Sequence, residues 1–127
     1  MVNFNKILIL ALLLMLLIVA CSSEVSTPDL SVTPFPMGTY KSMEYAWVFE
    51  EGGTYFFYQL NAPDEIVNGT YTITGDQIEI QDDYCPGGEK GTYKWEFDGI
   101  LLSFTTLGDP CKDRSTWNVR LPWKLEE

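Results

Sequence analysis

From residue 38 to the end of the chain, apolar and polar side chains alternate with a period of two over one short segment after another. Tyr45, Trp47 and Phe49 alternate with Ala46 and Val48. Tyr71 and Ile73 alternate with Thr70, Thr72 and Thr74, and Ile78 and Ile80 with Gln77, Glu79 and Gln81. Tyr93, Trp95 and Phe97 interleave with Thr92, Lys94 and Glu96, and Trp117, Val119 and Leu121 with Asn118 and Arg120. Thr54 to Leu60 and Leu101 to Leu107 are apolar on both faces, as in more enclosed strands. Period-two alternation marks half-buried strands, and it predicts them over 45–49, 54–60, 67–74, 77–82, 91–97, 101–107 and 116–121. No stretch with a 3.6-residue period competes as a helix.

The punctuation agrees with hairpins. Gly75-Asp76 and Asp98-Gly99 are two-residue turns whose twist suits antiparallel strands, and Glu51-Gly52-Gly53 is a slightly longer one. Gly-Thr-Tyr recurs at Gly38, Gly53, Gly69 and Gly91, each time where a strand is expected to start. Glycine there permits a bend or a close backbone approach. Sequential strands with short links leave two exposed edges unless the sheet closes. The expected fold is therefore all-β, a small antiparallel up-and-down barrel of seven to eight strands over 38–127, with a two-sheet sandwich as the alternative.

The N-terminus reads differently. Residues 1–20 carry one charge, Lys6, ahead of an unbroken apolar run from Ile7 to Ala20. Such a run is too short to span a bilayer but fits the apolar core of a signal peptide. It ends in Ile18-Val19-Ala20-Cys21, which resembles the bacterial lipobox. That resemblance implies cleavage before Cys21 and a lipid on it. The expected address is the bacterial cell envelope, on the extracytoplasmic side, with the membrane as a partner through Cys21. Residues 21–37 then read as a tether, since nine of the fifteen residues from Ser22 to Pro36 are Ser, Thr or Pro.

With Cys21 lipidated, Cys85 and Cys111 remain, and an envelope location is oxidising enough to join them. In a meander the tight turns fall at one end, and the links at 61–66, 83–90 and 108–115 fall at the other. Both cysteines lie in links at that shared end, so the topology allows a disulfide.

From Gly38 to Trp123 the sequence resembles the small lipocalin-like (calycin-type) lipoproteins of bacterial envelopes. Gly69-Thr70-Tyr71-Thr72-Ile73-Thr74-Gly75-Asp76-Gln77-Ile78, Gly91-Thr92-Tyr93-Lys94-Trp95, Asp98-Gly99, Asp109-Pro110-Cys111-Lys112-Asp113-Arg114 and Pro122-Trp123 carry the likeness. It implies a calyx-like barrel credited with binding small apolar molecules. Lipocalins usually carry Gly-x-Trp on the first strand, covered by an arginine from the end of the chain. Here Gly38-Thr39-Tyr40 has tyrosine instead, and either Arg114 or Arg120 is placed to cover an aromatic ring.

Composition narrows the function. There are 18 acidic against 8 basic residues and no histidine, for a net charge of −10. That balance excludes a nucleic-acid partner, which needs clustered Lys and Arg. Without histidine, most hydrolase triads and most zinc sites are excluded, and no motif calls for a cofactor. The acidic Asp82, Asp83 and Glu89 match no calcium loop, and nothing singles out a catalytic pair, so a non-enzyme is expected. The candidate ligand-binding residues are Tyr45, Trp47, Tyr71, Tyr93, Trp95, Phe104 and Trp117 on the inward faces, with Arg114. In the competing reading these rings fill the barrel themselves, and the protein acts through its loops on a protein partner that the sequence does not identify.

Overall fold

The computed structural model describes residues 33–127. The expected signal peptide, Cys21 and the tether up to residue 32 lie outside the described residues. The chain forms β1 (Gly38–Ser42), β2 (Tyr45–Phe49), β3 (Thr54–Gln59), β4 (Ala62–Thr74), β5 (Gln77–Asp82), β6 (Lys90–Phe97), β7 (Leu101–Gly108) and β8 (Trp123–Leu125). A 3-10 turn (Pro86–Gly88) links β5 to β6, and a helix, α1 (Lys112–Arg120), links β7 to β8. Each strand pairs antiparallel with the next, and β8 pairs back onto β1, so the eight strands close into a barrel. The architecture is all-antiparallel and compatible with a lipocalin-like fold. Closure leaves no edge along the sheet order.

The register sets large rings against each other inside. Trp47 lies opposite Phe57, Phe49 opposite Tyr55, and Trp95 opposite Phe104. Tyr40, Trp47, Tyr93, Ile78, Ile80 and Leu102 are all but sealed from water. In β7 only the residues at every second position, Leu102 and Phe104, face inward, while Leu101 and Leu107 are exposed, so that strand is not enclosed on both faces.

The two ends of the barrel differ. One end gathers the β2–β3, β4–β5 and β6–β7 turns. Phe35, just ahead of β1, plugs it, with its ring 5.0 Å from that of Phe49 and 5.2 Å from that of Trp95, edge-on to both. Phe35 therefore belongs to the core, although its segment reads as tether. The Tyr40 hydroxyl donates to the Pro36 carbonyl at 2.6 Å and pins the same segment, and burial pushes that phenol up to about 12.

The strands β1 and β8 lie outside the seven expected ranges, and three further features depart from the sequence pattern. The expected strand over 116–121 is α1. Its barrel-facing residues are Arg114, Trp117 and Asn118, at the i, i+3, i+4 spacing of one helix face. Arg114 and Asn118 are buried, while Val119 and Leu121 are exposed. The buried face is polar, so an apolar period could not reveal it. Asp113 in the first turn and Arg120 in the last complement the helix dipole. The expected link at 61–66 is the first half of β4, which begins right after a turn at Leu60-Asn61 and shifts register beside Tyr58 and Gln59. Pairing of β4 with β5 starts only at Gly69, so Pro63, Asp64 and Glu65 occupy a free edge, where proline and charge discourage further pairing. Finally, Gly69 lies inside β4 and not at a strand start.

Candidate functional site

At the end opposite Phe35, β2, β3, β4, the β5–β6 link and α1 surround a partly open pocket of about 280 Å³. Tyr45, Trp47, Tyr55, Phe57, Tyr84 and Trp117 supply its aromatic wall, with Val67, Asp82, Arg114 and Asn118 completing it. The rings are mutually braced. Tyr45 stacks on Phe57 at 5.3 Å and tilts against Trp117 at 4.8 Å, and Trp47 stands edge-on to Tyr55 at 5.5 Å.

A buried polar network underlies the pocket. Arg114 bonds Asp109 side-on, with Nε to Oδ2 and Nη2 to Oδ1 both at 2.8 Å, and Nη2 also donates to the Glu89 carbonyl at 2.9 Å. Its Nη1 lies 3.3 Å from Asp82 Oδ1, close enough for an ion pair but not aligned for a hydrogen bond. Each aspartate also takes a tyrosine hydroxyl: Tyr55 donates to Asp82 at 2.6 Å, and Tyr93 donates to Asp109. Each caps a cysteine backbone as well, Cys85 N–H to Asp82 Oδ1 at 3.2 Å and Cys111 N–H to Asp109 Oδ1 at 2.8 Å. Those two cysteines are joined by a disulfide with Cα atoms 5.9 Å apart. The bond ties the β5–β6 link to the start of α1, at the shared end that the meander expects.

The network fixes protonation states. Burial works to raise the Asp109 carboxyl, but the bonds from Arg114, Tyr93 and the Cys111 N–H outweigh it and hold it below the usual carboxylate range. Burial followed by the bond to Asp82 raises the Tyr55 phenol, and burial followed by the bond to Asp109 raises that of Tyr93. Burial alone would lower the Arg114 guanidinium, but its two aspartates raise it. The assembly is thus a fixed cation between two carboxylates with neutral phenols outside.

Glycine makes room for it. A Cβ on Gly69 would overlap the Tyr55 ring, and one on Gly91 would overlap the Asp109 carboxylate. Two of the recurring Gly-Thr-Tyr motifs therefore serve the network, through the close approach that only glycine permits.

Of the residues singled out from sequence, Tyr45, Trp47, Trp117 and Arg114 line the pocket. Tyr71, Tyr93, Trp95 and Phe104 do not. Tyr71 and Trp95 pack against Phe35 at the plugged end, Tyr93 belongs to the network beneath the pocket, and Phe104 packs on Trp47 at 5.2 Å. Tyr55, Phe57, Val67, Asp82, Tyr84 and Asn118 were not singled out. Tyr55 and Phe57 lie in a run apolar on both faces, where inward and outward positions look alike. Asp82 reads as part of a solvated acidic turn, and Asn118 as the outer face of a strand. Among the described residues, Arg120 sits 5.5 Å from the Trp117 ring on the same helix, whereas Arg114 pairs with its two aspartates. Asp83 in the link serves the fold, accepting from the Asn68 backbone at 3.0 Å.

No family model, curated protein or solved structure matches this chain. Its likeness to lipocalin-type proteins rests on the closed eight-stranded barrel.

Proposed function

We propose that this protein is a lipid-tethered, lipocalin-like envelope protein that takes up a small apolar or amphipathic molecule in the pocket beside α1. The observation that carries the reading is an aromatic-walled pocket of about 280 Å³ in a barrel small enough to be filled by its own side chains. An apolar cavity of roughly 150 Å³ holds a benzene, so this one suits a molecule of one or two rings. Aromatic walls with a few placed polar groups are the usual composition of small-molecule sites.

The test is a fluorescence titration of the full chain with apolar one- and two-ring probes. Trp47 and Trp117 line the pocket, whereas Trp95 and Trp123 do not. A saturable change that survives in Trp95→Phe and disappears in the Trp47→Phe/Trp117→Phe double variant supports the reading. A change that never saturates, or that persists in the double variant, sinks it. The tether is tested separately: Cys21→Ala is expected to abolish lipid attachment and release the protein from membranes, and a variant still membrane-held at the same mature mass would refute the anchor.

A further inference from the structure

Among the described residues, four buried side-chain atoms lack a hydrogen-bond partner, and three of them, Trp47 Nε1, Arg114 Nη1 and Asn118 Nδ2, belong to residues that line the pocket. The residues are 1%, 5% and 4% exposed. All three atoms are donors. A buried donor without an acceptor forfeits the bond it made to water in the unfolded chain, and folded proteins leave few such groups. Three on the walls of one pocket is an imbalance with a direction.

No acceptor among the described residues bonds these three donors. Asp82 is engaged by Tyr55, the Cys85 N–H and the Arg114 charge, and the Asn118 backbone carbonyl accepts from Trp123 Nε1 at 3.2 Å. An acceptor carried by a ligand would complete them.

Charge decides which kind. Arg114 stands against both Asp82 and Asp109, so the buried ion group carries one net negative charge in a chain whose net charge is −10. An anionic acceptor would enter against that field, with no unpaired cation on the lining to receive it. A cation would bring no acceptor and would sit beside a guanidinium and two further donors. A neutral acceptor satisfies both conditions. The stacked Tyr45–Phe57 pair and the tilted Trp117 ring favour a flat partner.

We propose that the pocket selects neutral, planar ring compounds bearing an acceptor oxygen, such as an aryl ketone, lactone, amide or quinone, with the oxygen received by the donors of Asn118 and Trp47. This rests on the pocket-binding reading and adds selectivity to it. The donor atoms are sealed from water in the structure, so binding requires the side chains that carry them to turn toward the ligand oxygen.

The experiment is calorimetry on the full chain in lipid nanodiscs, with protein-free discs as the blank. Four probes share one shape: naphthalene, 2-acetylnaphthalene, 2-naphthoate and naphthyl-trimethylammonium. The ketone is expected to bind about ten-fold tighter than the hydrocarbon, the worth of one good hydrogen bond to otherwise unmet donors. Both ions are expected to bind more weakly than the ketone. Asn118→Leu keeps the volume and removes the donor, so it should bring the ketone to within about two-fold of the hydrocarbon. Should that variant not fold, Trp47→Phe makes the same comparison, and the ranking in the unaltered protein stands without either. Parity of ketone and hydrocarbon, or tighter binding of either ion, overturns the selectivity while leaving pocket binding intact. Failure of all four probes to saturate removes the pocket reading itself and the selectivity with it.

Discussion

Arg114 and Asp109, five residues apart at the start of α1, meet side-on through two hydrogen bonds of 2.8 Å. Neither side chain is more than 4% exposed. The planar guanidinium fork matches a carboxylate in a way that lysine cannot, and here its charge also stands 3.3 Å from Asp82. A buried pair adds little net stability over a well-packed apolar one, but breaking it strands a charge.

Replacing Arg114 therefore has a large cost. Arg114→Met leaves Asp82 and Asp109 buried without a cation and is expected to lose about 3–5 kcal/mol. Arg114→Lys keeps the charge but loses the fork, and should fall between. Urea denaturation of the three proteins checks the order. An Arg114→Met protein as stable as the parent would show that the pair is dispensable.

The pH dependence follows from Asp109. Its folded-state carboxyl is held below the unfolded value near 4, so the unfolded chain takes up its proton first as pH falls. The stability it contributes is complete above about pH 4 and is lost on descent toward the lower folded value. Asp109→Asn should flatten that acid limb and lower stability at neutral pH. Denaturation midpoints from pH 2 to 7 measure both. A limb of unchanged slope would assign acid sensitivity to other carboxylates.

Tyr55 and Tyr93 make the opposite statement at alkaline pH. Both phenols are raised in the folded state, so their contribution is complete below the ordinary value near 10 and declines as pH rises above it. Ultraviolet titration should show these two phenols resisting ionisation until the barrel unfolds, and Tyr93→Phe should remove one from the late phase. If all the tyrosines titrate together at the ordinary value in folded protein, neither phenol is held.

The disulfide closes a long loop, Cys85 to Cys111, with a sequence separation of 26. The chain-entropy estimate for such a loop is about 3–4 kcal/mol. Because each cysteine backbone N–H also donates to one of the aspartates that hold Arg114, the Cys85→Ala/Cys111→Ala variant should loosen the pocket end first. Hydrogen exchange is expected to quicken at 82–91 and 109–118 before it does at Trp95. Uniform quickening would mean that the bond stabilises the barrel as a whole.

These residues also show what the sequence could reveal. Strands such as Gln77–Asp82 were legible because each buries one apolar face, and the cysteine pairing followed from which end of the meander each link occupies. Helix α1 was not, because it turns Arg114 and Asn118 inward, and no hydrophobic period marks a polar face. The pocket was only half legible. Period-two alternation tells which rings point inward, but not that Phe35 fills one end while Arg114 and Asn118 hold the other open. Nor could composition show that Asp82 and Asp109, two acids among 18, are buried acceptors and not part of a solvated surface.

The last expectation concerns the glycines that admit the network. Gly91 lies on β6 beneath Asp109, and a Cβ there would run into the carboxylate that Arg114 and Tyr93 share. Its φ is not positive, so alanine is acceptable to the backbone and only the contact is at issue. Gly108 supplies the control: it too sits in a strand without positive φ, and nothing lies within 4 Å of its added Cβ. In a strand alanine is slightly favoured over glycine, because it has less freedom to lose on folding. Gly108→Ala is therefore expected to be neutral or to stabilise by about 0.5 kcal/mol. Gly91→Ala has the same intrinsic gain but displaces a buried carboxylate from its arginine, and should lose about 2–3 kcal/mol. Since the clash acts through Asp109, Gly91→Ala should also weaken the acid limb of the stability profile, which simple crowding of the strand would leave unchanged. Equal denaturation midpoints for the two variants would show that Asp109 moves aside without loss, and that the network is looser than its geometry implies.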